Sequence, residues 1–566
     1  MAAAADPRPS YDEVLAAATA PGQRFETGAI TVGGVEYTAF VDSPPSLREL
    51  FAGLRAKGDE AFLVYEDERW SFADVMAHVD ALAAALVERY GVEPGDRVAI
   101  GMRNYPEWVV AFAAAVSIGA TSVSLNAWWT ADELDYALED SGTKVLVADV
   151  ERVGASRASC ARLGIRTVGV RLPADAAGAG GAVERYDDVV VLGTPMPAVD
   201  VTPDHDATIL YTSGTTGRPK GAVATHRSVL QALLGFACRT TVGRLRHPDD
   251  AKVAAEHPPV FILIVPLFHV TGSVAVLLSC VASGIRLVMM RKWDPERALE
   301  LIERERVTNF VGVPTQSWDL LECPRFSEFD TSSLVSVGGG GAPAPPELVK
   351  RVESTFRRAR PGIGYGMTET NAYGPQNSGD DYVTHPTSTG RATPILEIEV
   401  RDADDRAVPA GERGEIWFKG PNLFRGYWNK PEATAEVLVD GWLRTGDIGR
   451  IDEEGFVYVE DRAKDMVLRG GENVYCAEVE AAIYEHPAVH EAAVFGVPHE
   501  RLGEEVATAV HLKPGATLEA DELRAFVGER LAAFKVPTRV SFAEAPLPRN
   551  AAGKMLKREL RDQLSS

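Results

Sequence analysis

The densest run of residues able to do chemistry is YTSGTTGRPKGAVATH, at residues 211–226, directly after the apolar run ATIL. Its glycines let backbone amides approach an anion closely, and its hydroxyls and lysine add hydrogen-bond donors and a mobile cation. It is not a Walker A loop, because the GxxxxGKS/T spacing is missing and Pro219 precedes the lysine. The run predicts a binding loop for a nucleotide triphosphate tail, formed by Thr212, Ser213, Gly214, Thr215, Thr216, Gly217 and Lys220.

A second cluster, GYGMTET at residues 364–370, combines an aromatic ring, hydroxyls and a carboxylate. Tyr365 can stack on a base, Thr368 can donate to a phosphate, and Glu369 is a hard oxygen ligand suited to Mg²⁺ on a triphosphate. An isolated glutamate in such a turn is more often a solvated turn residue. The cluster also predicts nucleotide contacts from Gly364, Gly366 and Met367.

Two further groups could hold the rest of a nucleotide. Asp447 can accept two hydrogen bonds, as vicinal ribose hydroxyls require, and Arg462 supplies a cationic partner. For an unspecified Asp and Arg, a surface ion pair is the alternative. A wall of little side-chain bulk, along which a planar base or an acyl chain can lie, is predicted at Gly340, Gly341, Ala342 and Pro343.

Together these segments resemble the signatures of the adenylate-forming superfamily, which includes acyl-CoA synthetases, luciferases and the adenylation domains of peptide synthetases. The resemblance is closest to fatty acyl-CoA synthetases and covers about residues 50–560. Besides YTSGTTGRPKG, the matching segments follow in the family's order: PLFHVTG (266–272), GGGGAPAP (338–345), GYGMTET (364–370), GWLRTGDIG (441–449), EDRAKDMVLRGGENVYCAEVE (460–480) and PRNAAGKMLKREL (548–560).

The resemblance implies roles for residues that spacing alone does not single out. Lys554 would carry the first half-reaction by neutralising the attacking carboxylate and the α-phosphate. His269 would stand where the acyl carboxylate meets the thiol tunnel, although a histidine after an apolar run is usually a core group. Lys464 matches the family's hinge, and Gly470 and Gly471 would let pantetheine pass close to the backbone.

In the family, the matching tyrosine lies against adenine, the threonine on the α-phosphate, the glutamate on magnesium, and the aspartate and arginine on the ribose. The implied reaction has two steps. A substrate carboxylate attacks the α-phosphorus of MgATP and releases pyrophosphate, and the thiol of coenzyme A then attacks the acyl-adenylate and releases AMP. The expected ligands are therefore ATP, Mg²⁺, coenzyme A and a small-molecule carboxylic acid.

The identity of the acid is a hypothesis. No cationic or carboxylate residue identifies itself as the selector of a polar acid, so a medium- or long-chain fatty acid leads, and an aryl or steroid-side-chain acid follows. Three other functions stay open: a peptide-synthetase-type or other non-CoA adenylating enzyme, a luciferase-like oxidative enzyme, and a catalytically silent ligand-binding protein. No carrier-like LGGxS segment follows Lys554, which disfavours the peptide-synthetase module.

The elements that must position these residues alternate between strand-like apolar runs and amphipathic helical patterns. Strands are predicted at 207–212, 285–290, 309–313 and near 168, and helices at 71–91, 296–307 and 477–489. The alternation predicts an α/β fold with largely parallel sheets.

Changes in the residue pattern along the chain predict the domains. Residues 1–463 form a large N-terminal adenylation domain of two layered αβ subdomains, with an extension at about 1–45 and a β-rich subdomain at about 390–460. Residues 464–566 form a small, mobile α+β C-terminal domain. The first twenty residues, MAAAADPRPSYDEVLAAATA, are expected to be a mobile tail.

Composition excludes several classes of protein. A formal charge of -23 disfavours binding of nucleic acid or anionic lipid by bulk electrostatics. The five scattered cysteines signal neither a disulfide framework nor a zinc site, so a reducing cytoplasm fits best. The apolar stretches 108–125 and 260–290 contain small and polar residues, which suits a buried core better than a membrane span. Peripheral membrane contact, and a monomer or a homodimer, stay open.

Overall fold

The computed structural model describes residues 9–173, 183–212, 218–248, 252, 257–342, 344, 346–356, 358–470, 472–550 and 553–565. Of the predicted site residues, seven lie outside the described residues: Ser213, Gly214, Thr215, Thr216, Gly217, Pro343 and Gly471.

The described strands are numbered along the chain. Strands β1 to β9 are Thr27–Val32, Val35–Phe40, Ala61–Tyr65, Glu68–Ser71, Arg97–Gly101, Thr121–Ser124, Val145–Asp149, Arg166–Val170 and Val183–Arg185. Strands β10 to β17 are Asp206–Thr212, Lys220–Thr225, Val260–Leu263, Arg286–Met289, Asn309–Gly312, Ser336–Gly340, Arg360–Gly364 and Gln376–Ser378. Strands β18 to β28 are Glu397–Arg401, Gly414–Lys419, Gly426–Tyr427, Leu438–Val439, Trp442–Ile451, Val457–Arg462, Val467–Arg469, Glu472–Val474, Val489–His499, Gly503–Leu512 and Arg539–Ala543.

The described helices are numbered in the same way. Helices α1 to α8 are Tyr11–Thr19, Leu47–Ala52, Phe72–Glu88, Pro106–Ser117, Ala131–Ser141, Val150–Leu163, Tyr186–Val189 and His226–Arg246. Helices α9 to α17 are Ser279–Ser283, Pro295–Glu305, Pro314–Leu321, Pro346–Thr355, Gly379–Thr384, Pro431–Val437, Cys476–Tyr484, Ala520–Gly528 and Lys557–Ser565. A π-helical segment, Thr271–Leu278, leads into α9, and short 3-10 turns lie at Gly53–Lys57, Phe326–Glu328, Thr368–Thr370 and Ala533–Lys535.

Two eight-stranded sheets form the bulk of the fold, in the orders β20-β11-β10-β6-β5-β7-β8-β9 and β17-β16-β15-β14-β12-β13-β3-β4. Their central strands run parallel, and antiparallel pairs occur towards the ends, at β10/β11, β11/β20, β16/β17 and β3/β4. The largest core cluster joins residues of both sheets through α3 and α4, which explains why α4 is buried along its whole length. The predicted α/β class with largely parallel sheets is confirmed.

Two smaller sheets follow. Strands β18, β19, β21, β22 and β23 form an antiparallel sheet at the predicted β-rich region. Strands β24 to β28 form the last sheet, which α15 and α16 cover to close a separate apolar cluster. The predicted small α+β unit is therefore present, whereas the boundary at residues 463 and 464 stays a prediction.

The prediction of a mobile tail at residues 1–20 is wrong for residues 9–20, and the rest of the described extension is folded as well. Helix α1 is capped by Ser10 and Glu13, and β1 and β2 form a hairpin in register from Thr27 opposite Phe40. The side chain of Gln231 on α8 exchanges two hydrogen bonds with the backbone of Phe40, at 2.8 and 3.0 Å. Because an apolar cluster fastens α1 and β2 to α8, the segment is part of the fold.

The predicted elements agree with the structure apart from their ends. The helix predicted at 477–489 stops at Tyr484, since His486 and Pro487 begin the turn into β26. The two apolar stretches form α4 with β6, and β12 through β13, in the cores. Among the described residues, no helix combines the length and the apolar character that crossing a bilayer requires.

Candidate active site

A cavity of about 970 Å³ opens where the carboxyl ends of several strands meet the last sheet's loops. The structure brings thirteen of the predicted site residues to its wall: Thr212, Lys220, His269, Gly340, Gly341, Gly364, Gly366, Met367, Thr368, Glu369, Arg462, Lys464 and Lys554. Gly366 is required at its position, because an added Cβ would lie 2.2 Å from the carbonyl oxygen of Ala372.

The predicted ribose pair is preformed by strand pairing. Asp447 on β22 is the register partner of Arg462 on β23, and Arg462 Nε lies 3.1 Å from Asp447 Oδ1. The hydroxyl of Tyr365 donates to the other carboxylate oxygen of Asp447. The Asp447 side chain is only 4% exposed, so its charge is held by these two partners instead of by water.

A second preformed chain of contacts links three residues far apart in the sequence. The hydroxyl of Tyr427 donates to Glu369 Oε1 at 2.6 Å. The ammonium of Lys220 lies over the Tyr427 ring, 4.6 Å from its centroid. Tyr427 therefore orients both the candidate metal ligand and the candidate phosphate-binding lysine. Its segment, FRGYWNK, carried no recognisable chemical pattern, and this residue was missed.

Lys554 reaches the cavity on a tight turn. Arg549 and Met555 form an antiparallel bridge, and Asn550 exchanges hydrogen bonds with the Lys554 backbone at 2.9 and 3.0 Å. Gly553 adopts a φ of +80°, and a Cβ there would lie 2.8 Å from Val313 Cγ2. The turn thus packs closely against the large N-terminal part of the chain, with Asn550 also on the cavity wall.

The charges around Lys554 favour an anionic ligand in the cavity. Burial, and next the positive charge of Arg462, lower the pKa of Lys554, whereas Asp447 and Glu369 act in the opposite sense. Burial also lowers the pKa of Lys464. Cations crowded in this way, within a chain of net charge -23, favour the entry of a polyanion.

His269 lies on the cavity wall, as the resemblance implied, and is not a sealed core group. Burial, and then the charge of Lys554, lower its pKa to about 4. The ring is therefore neutral at physiological pH, and its Nδ1 accepts the N–H of Thr271 at 3.3 Å. The imidazole therefore adds no positive charge to the cavity wall near Lys554.

Several predicted residues do not meet at this wall. Tyr365, Ala342, Asp447 and Gly470 are not among the described wall residues, although Asp447 pairs with Arg462, which is. Gly470 lies in the β24–β25 turn, where its N–H donates to Leu502 O at 2.8 Å. The wall also includes two residues that sequence reasoning missed, Tyr11 and Arg239, at the end away from the nucleotide residues. An arginine inside a helical pattern gave no signal of a binding role.

Comparisons with known proteins agree with this geometry. The family model described as AMP-binding enzyme matches residues 50–428, and the one described as AMP-binding enzyme C-terminal domain matches residues 478–554. The chain belongs to the AMP-binding enzyme family. The predicted superfamily is confirmed. The predicted enzyme class, an AMP-forming acid–thiol ligase, is also confirmed, because relatives of this AMP-binding enzyme are named as acyl-CoA ligases.

Two of these relatives are from Mycobacterium tuberculosis. A CoA ligase named for a 7a-methyl-1,5-dioxo-octahydroindenyl propanoyl group is 38% identical over 521 residues, covering 90% of this chain and 97% of its own. Long-chain-fatty-acid–CoA ligase FadD13 is 36% identical over 503 residues, covering 88% and 94%. The crystal structure of ATP-bound MatB from Rhodopseudomonas palustris superposes with a TM-score of 0.79 at 33% identity, covering 92% and 99%.

Proposed function

We propose that this AMP-binding enzyme is an ATP-dependent carboxylate–CoA ligase that forms an acyl-adenylate and then an acyl-CoA. The observation that carries the proposal is the position of Lys554, Arg462 and Glu369 on the wall of one cavity, with Asp447 paired to Arg462. That arrangement provides cations for two anions that must approach each other, and adenylation itself needs no protein nucleophile.

Each residue has a part in the first step. Asp447 and Arg462 hold the ribose, and the ring of Tyr365 covers the adenine. Thr368 donates to the α-phosphate, while Lys554 Nζ neutralises the charge that gathers between the carboxylate and the α-phosphate during attack. Lys220, fixed over Tyr427, binds the departing pyrophosphate.

A magnesium ion fits one point of the cavity. Glu369 is a buried, hydrogen-bonded carboxylate, and Mg²⁺ in nucleotide sites takes one or two carboxylates together with phosphate oxygens. No cluster of three or more metal-binding side chains occurs among the described residues, so phosphate oxygens and water would supply the other ligands. When bound, the ion would offset the negative charge of the triphosphate.

The second step needs a different arrangement of the last domain. Lys554 occupies the cavity while Gly470 lies away from it, which matches the requirements of adenylation and not those of thiol transfer. The proposal is that the unit from Lys464 to the C-terminus rotates about Lys464 after pyrophosphate leaves. The rotation would bring Gly470 and Gly471 to face pantetheine. The N-terminal domain would then end at residue 463.

The proposal is tested with purified protein, MgATP, coenzyme A and a panel of acids: fatty acids of several lengths, aryl acids, steroid-side-chain acids and amino acids. The expected result is AMP, pyrophosphate and an acyl-CoA from one class of acid. AMP formation without thioester would indicate a non-CoA adenylating enzyme, light or oxygen consumption would indicate a luciferase-like enzyme, and no pyrophosphate from any acid would indicate a silent binding protein. From the sequence alone, fatty acids lead and aryl or steroid-side-chain acids are the alternative.

The proposed setting is a reducing cytoplasm, with no macromolecular partner needed for turnover. All five cysteines are free and buried, and none lies close enough to another to form a disulfide.

A further inference from the structure

The cavity extends well beyond the nucleotide residues, along the second half of α8. In the pairing of β15 with β16, Gly340 stands opposite Gly364 and Ser336 opposite Arg360, and all four residues line the cavity. Because a strand advances about 3.3 Å per residue, this wall runs for roughly 13 Å. Under the proposed function, an acid with its carboxylate near Lys554 would extend along this wall towards Arg360.

This far end contains a charged group without a carboxylate partner. Arg239 lines the cavity from α8, and its Nη1 donates to the backbone oxygen of Arg391 at 3.3 Å. Arg239 forms no ion pair with a carboxylate of the described residues. Burial lowers its pKa, yet a guanidinium stays charged in proteins. Tyr11 and Asp381 stabilise its charge, and the residue is part of the cavity wall, where a ligand can reach it.

A second unsatisfied donor lies beside it. Tyr11 lines the same end of the cavity and is only 8% exposed. Its hydroxyl is buried without a hydrogen-bond partner among the described residues. Burial raises the pKa of Tyr11, so the hydroxyl is a neutral donor, and Arg246 and Arg391 hold the ring from its face at 5.9 and 5.4 Å. A buried polar group without a partner is costly unless a ligand completes it.

The surrounding charges favour an electron-rich guest. Among the described residues that line this end, the carboxylates are Asp380 and Asp381, which lie 3.6 Å from His247 and 3.2 Å from Arg246. The described arginines that line it are Arg239, Arg244, Arg246, Arg358 and Arg360. Arginines thus outnumber carboxylates on this described part of the wall, which suits an electron-rich group better than an apolar chain end.

We propose that the far end of the cavity binds an oxygen acceptor at the distal end of the acid substrate, a carboxylate or a ring carbonyl, through Arg239 and the hydroxyl of Tyr11. The proposal rests on the proposed function and names its substrate class. Tyr11 lies before residue 50, where the family match begins, so this part of the specificity comes from a segment outside the family model.

The test compares matched acids on the full-length protein: alkanoic acids, the dicarboxylic acids of the same chain length, and propanoic acids on ring systems with and without a ketone. AMP and acyl-CoA formation are measured. For one of the oxygen-bearing series, kcat/KM should exceed the value for the matched acid without the distal oxygen by about 10- to 100-fold. The acid without that oxygen leaves the donors of Arg239 and Tyr11 unpaired.

Two variants distinguish a distal carboxylate from a distal ketone as the group that is bound. Arg239→Gln keeps a donor and removes the charge, so it should abolish a preference for dicarboxylic acids and retain most of a preference for ketones. Tyr11→Phe should reduce either preference by about 10-fold. Tyr37→Phe removes a hydroxyl from the same N-terminal segment away from the described cavity wall, and it should change neither preference. Thermal unfolding confirms that each variant is folded.

Equal kcat/KM for alkanoic acids and their oxygen-bearing partners, unchanged by Tyr11→Phe, would overturn this inference and leave the ligase intact. Absence of AMP from every acid would overturn the proposed function as well.

Discussion

At the scale of single residues, the cavity carries cations that repel one another until an anion arrives. Lys554, Lys464 and Arg462 lie near one another, and burial lowers the pKa of both lysines. Asp447 and Glu369 offset only part of this charge. An arrangement of this kind is unfavourable in the free protein, and binding of a triphosphate and a carboxylate relieves it.

Replacing Lys554 separates the two half-reactions. Lys554→Ala should lower the rate of adenylate formation by 100-fold or more, because the cation at the attacked phosphorus is lost. Thioester formation from supplied acyl-adenylate and coenzyme A should stay within about two-fold of the wild type. Pyrophosphate release and acyl-CoA production are measured separately. The matched control is Arg558→Ala, an exposed cation nearby. Equal loss of both half-reactions would contradict the assigned role.

The motif-bearing residues were predictable one by one, and those that complete the site were not. Asp447, Arg462 and Glu369 stand in strings whose residue types indicate a chemical role, whereas Lys554 is singled out by the family resemblance. Tyr427 acts through its position beneath Lys220 and beside Glu369, which only the folded chain defines. The site around Arg239 likewise depends on α1 packing against α8 across more than two hundred residues of sequence.

At the scale of secondary-structure elements, the bridge between Arg549 and Met555 helps to place Lys554 on the cavity wall. Gly553 has both a positive φ and a close neighbour, Val313. The sequence indicated a turn there, from Gly-Lys in a polar stretch. It could not show that the turn lies against the strand–helix junction before α11, since that contact joins distant parts of the chain.

Gly553→Ala should slow adenylate formation by about 10-fold, because the added Cβ would push the turn away from Val313. Gly515→Ala is the matched control: its φ of +76° is similar, and no atom lies within 4 Å of the added Cβ. Both changes carry a similar backbone penalty of about 1 kcal/mol, and only the first has a clash as well. Equal adenylation rates for the two variants would argue against a close turn.

The junction between β23 and α15 contains a carboxyl group whose pKa is raised above its ordinary value. Asp461 accepts the N–H of Cys476, at the start of α15, and burial raises its pKa from 3.8 to about 6. A raised carboxyl pKa means that the folded state is most favoured at low pH and loses stability as the group ionises. The loss occurs between about pH 4 and pH 6.

Asp461→Asn retains an acceptor for Cys476 and cannot ionise. The variant's thermal unfolding midpoint relative to the wild type should therefore rise between about pH 4 and pH 6, and stay level above that range. The gain should correspond to on the order of 1–3 kcal/mol. A difference between the two proteins that does not depend on pH would show that Asp461 stays ionised at the junction.

At the scale of the whole molecule, a polar contact joins the last domain to the large N-terminal part of the chain. It lies between His490 on β26 and Glu322 after α11, with Nδ1 and Oε2 3.3 Å apart. The hydrogen bond to Glu322 raises the pKa of His490, and the nearby Glu491 and Asp319 act in the same sense. The attraction is present in full below the ordinary histidine pKa of about 6.5, and it is lost as the pH rises through the raised value.

Glu322→Gln should therefore slow adenylate formation at about pH 6 by roughly two- to five-fold, while the two proteins converge near pH 9, where His490 is neutral in both. Thiol transfer, measured with supplied acyl-adenylate at about pH 6, should not slow, since it needs this contact broken. A deficit that persists unchanged at pH 9 would mean that the ion pair does not favour the adenylation arrangement.

The most direct test of the whole account follows the oxygen atoms of the acid. The acid with the highest kcat/KM in the panel is labelled with ¹⁸O in its carboxylate and turned over with MgATP and coenzyme A. Attack at the α-phosphorus transfers one labelled oxygen to AMP and none to pyrophosphate, and this is the result we predict. Label in inorganic phosphate, with ADP as the nucleotide product, would place the attack at the γ-phosphorus and contradict the account.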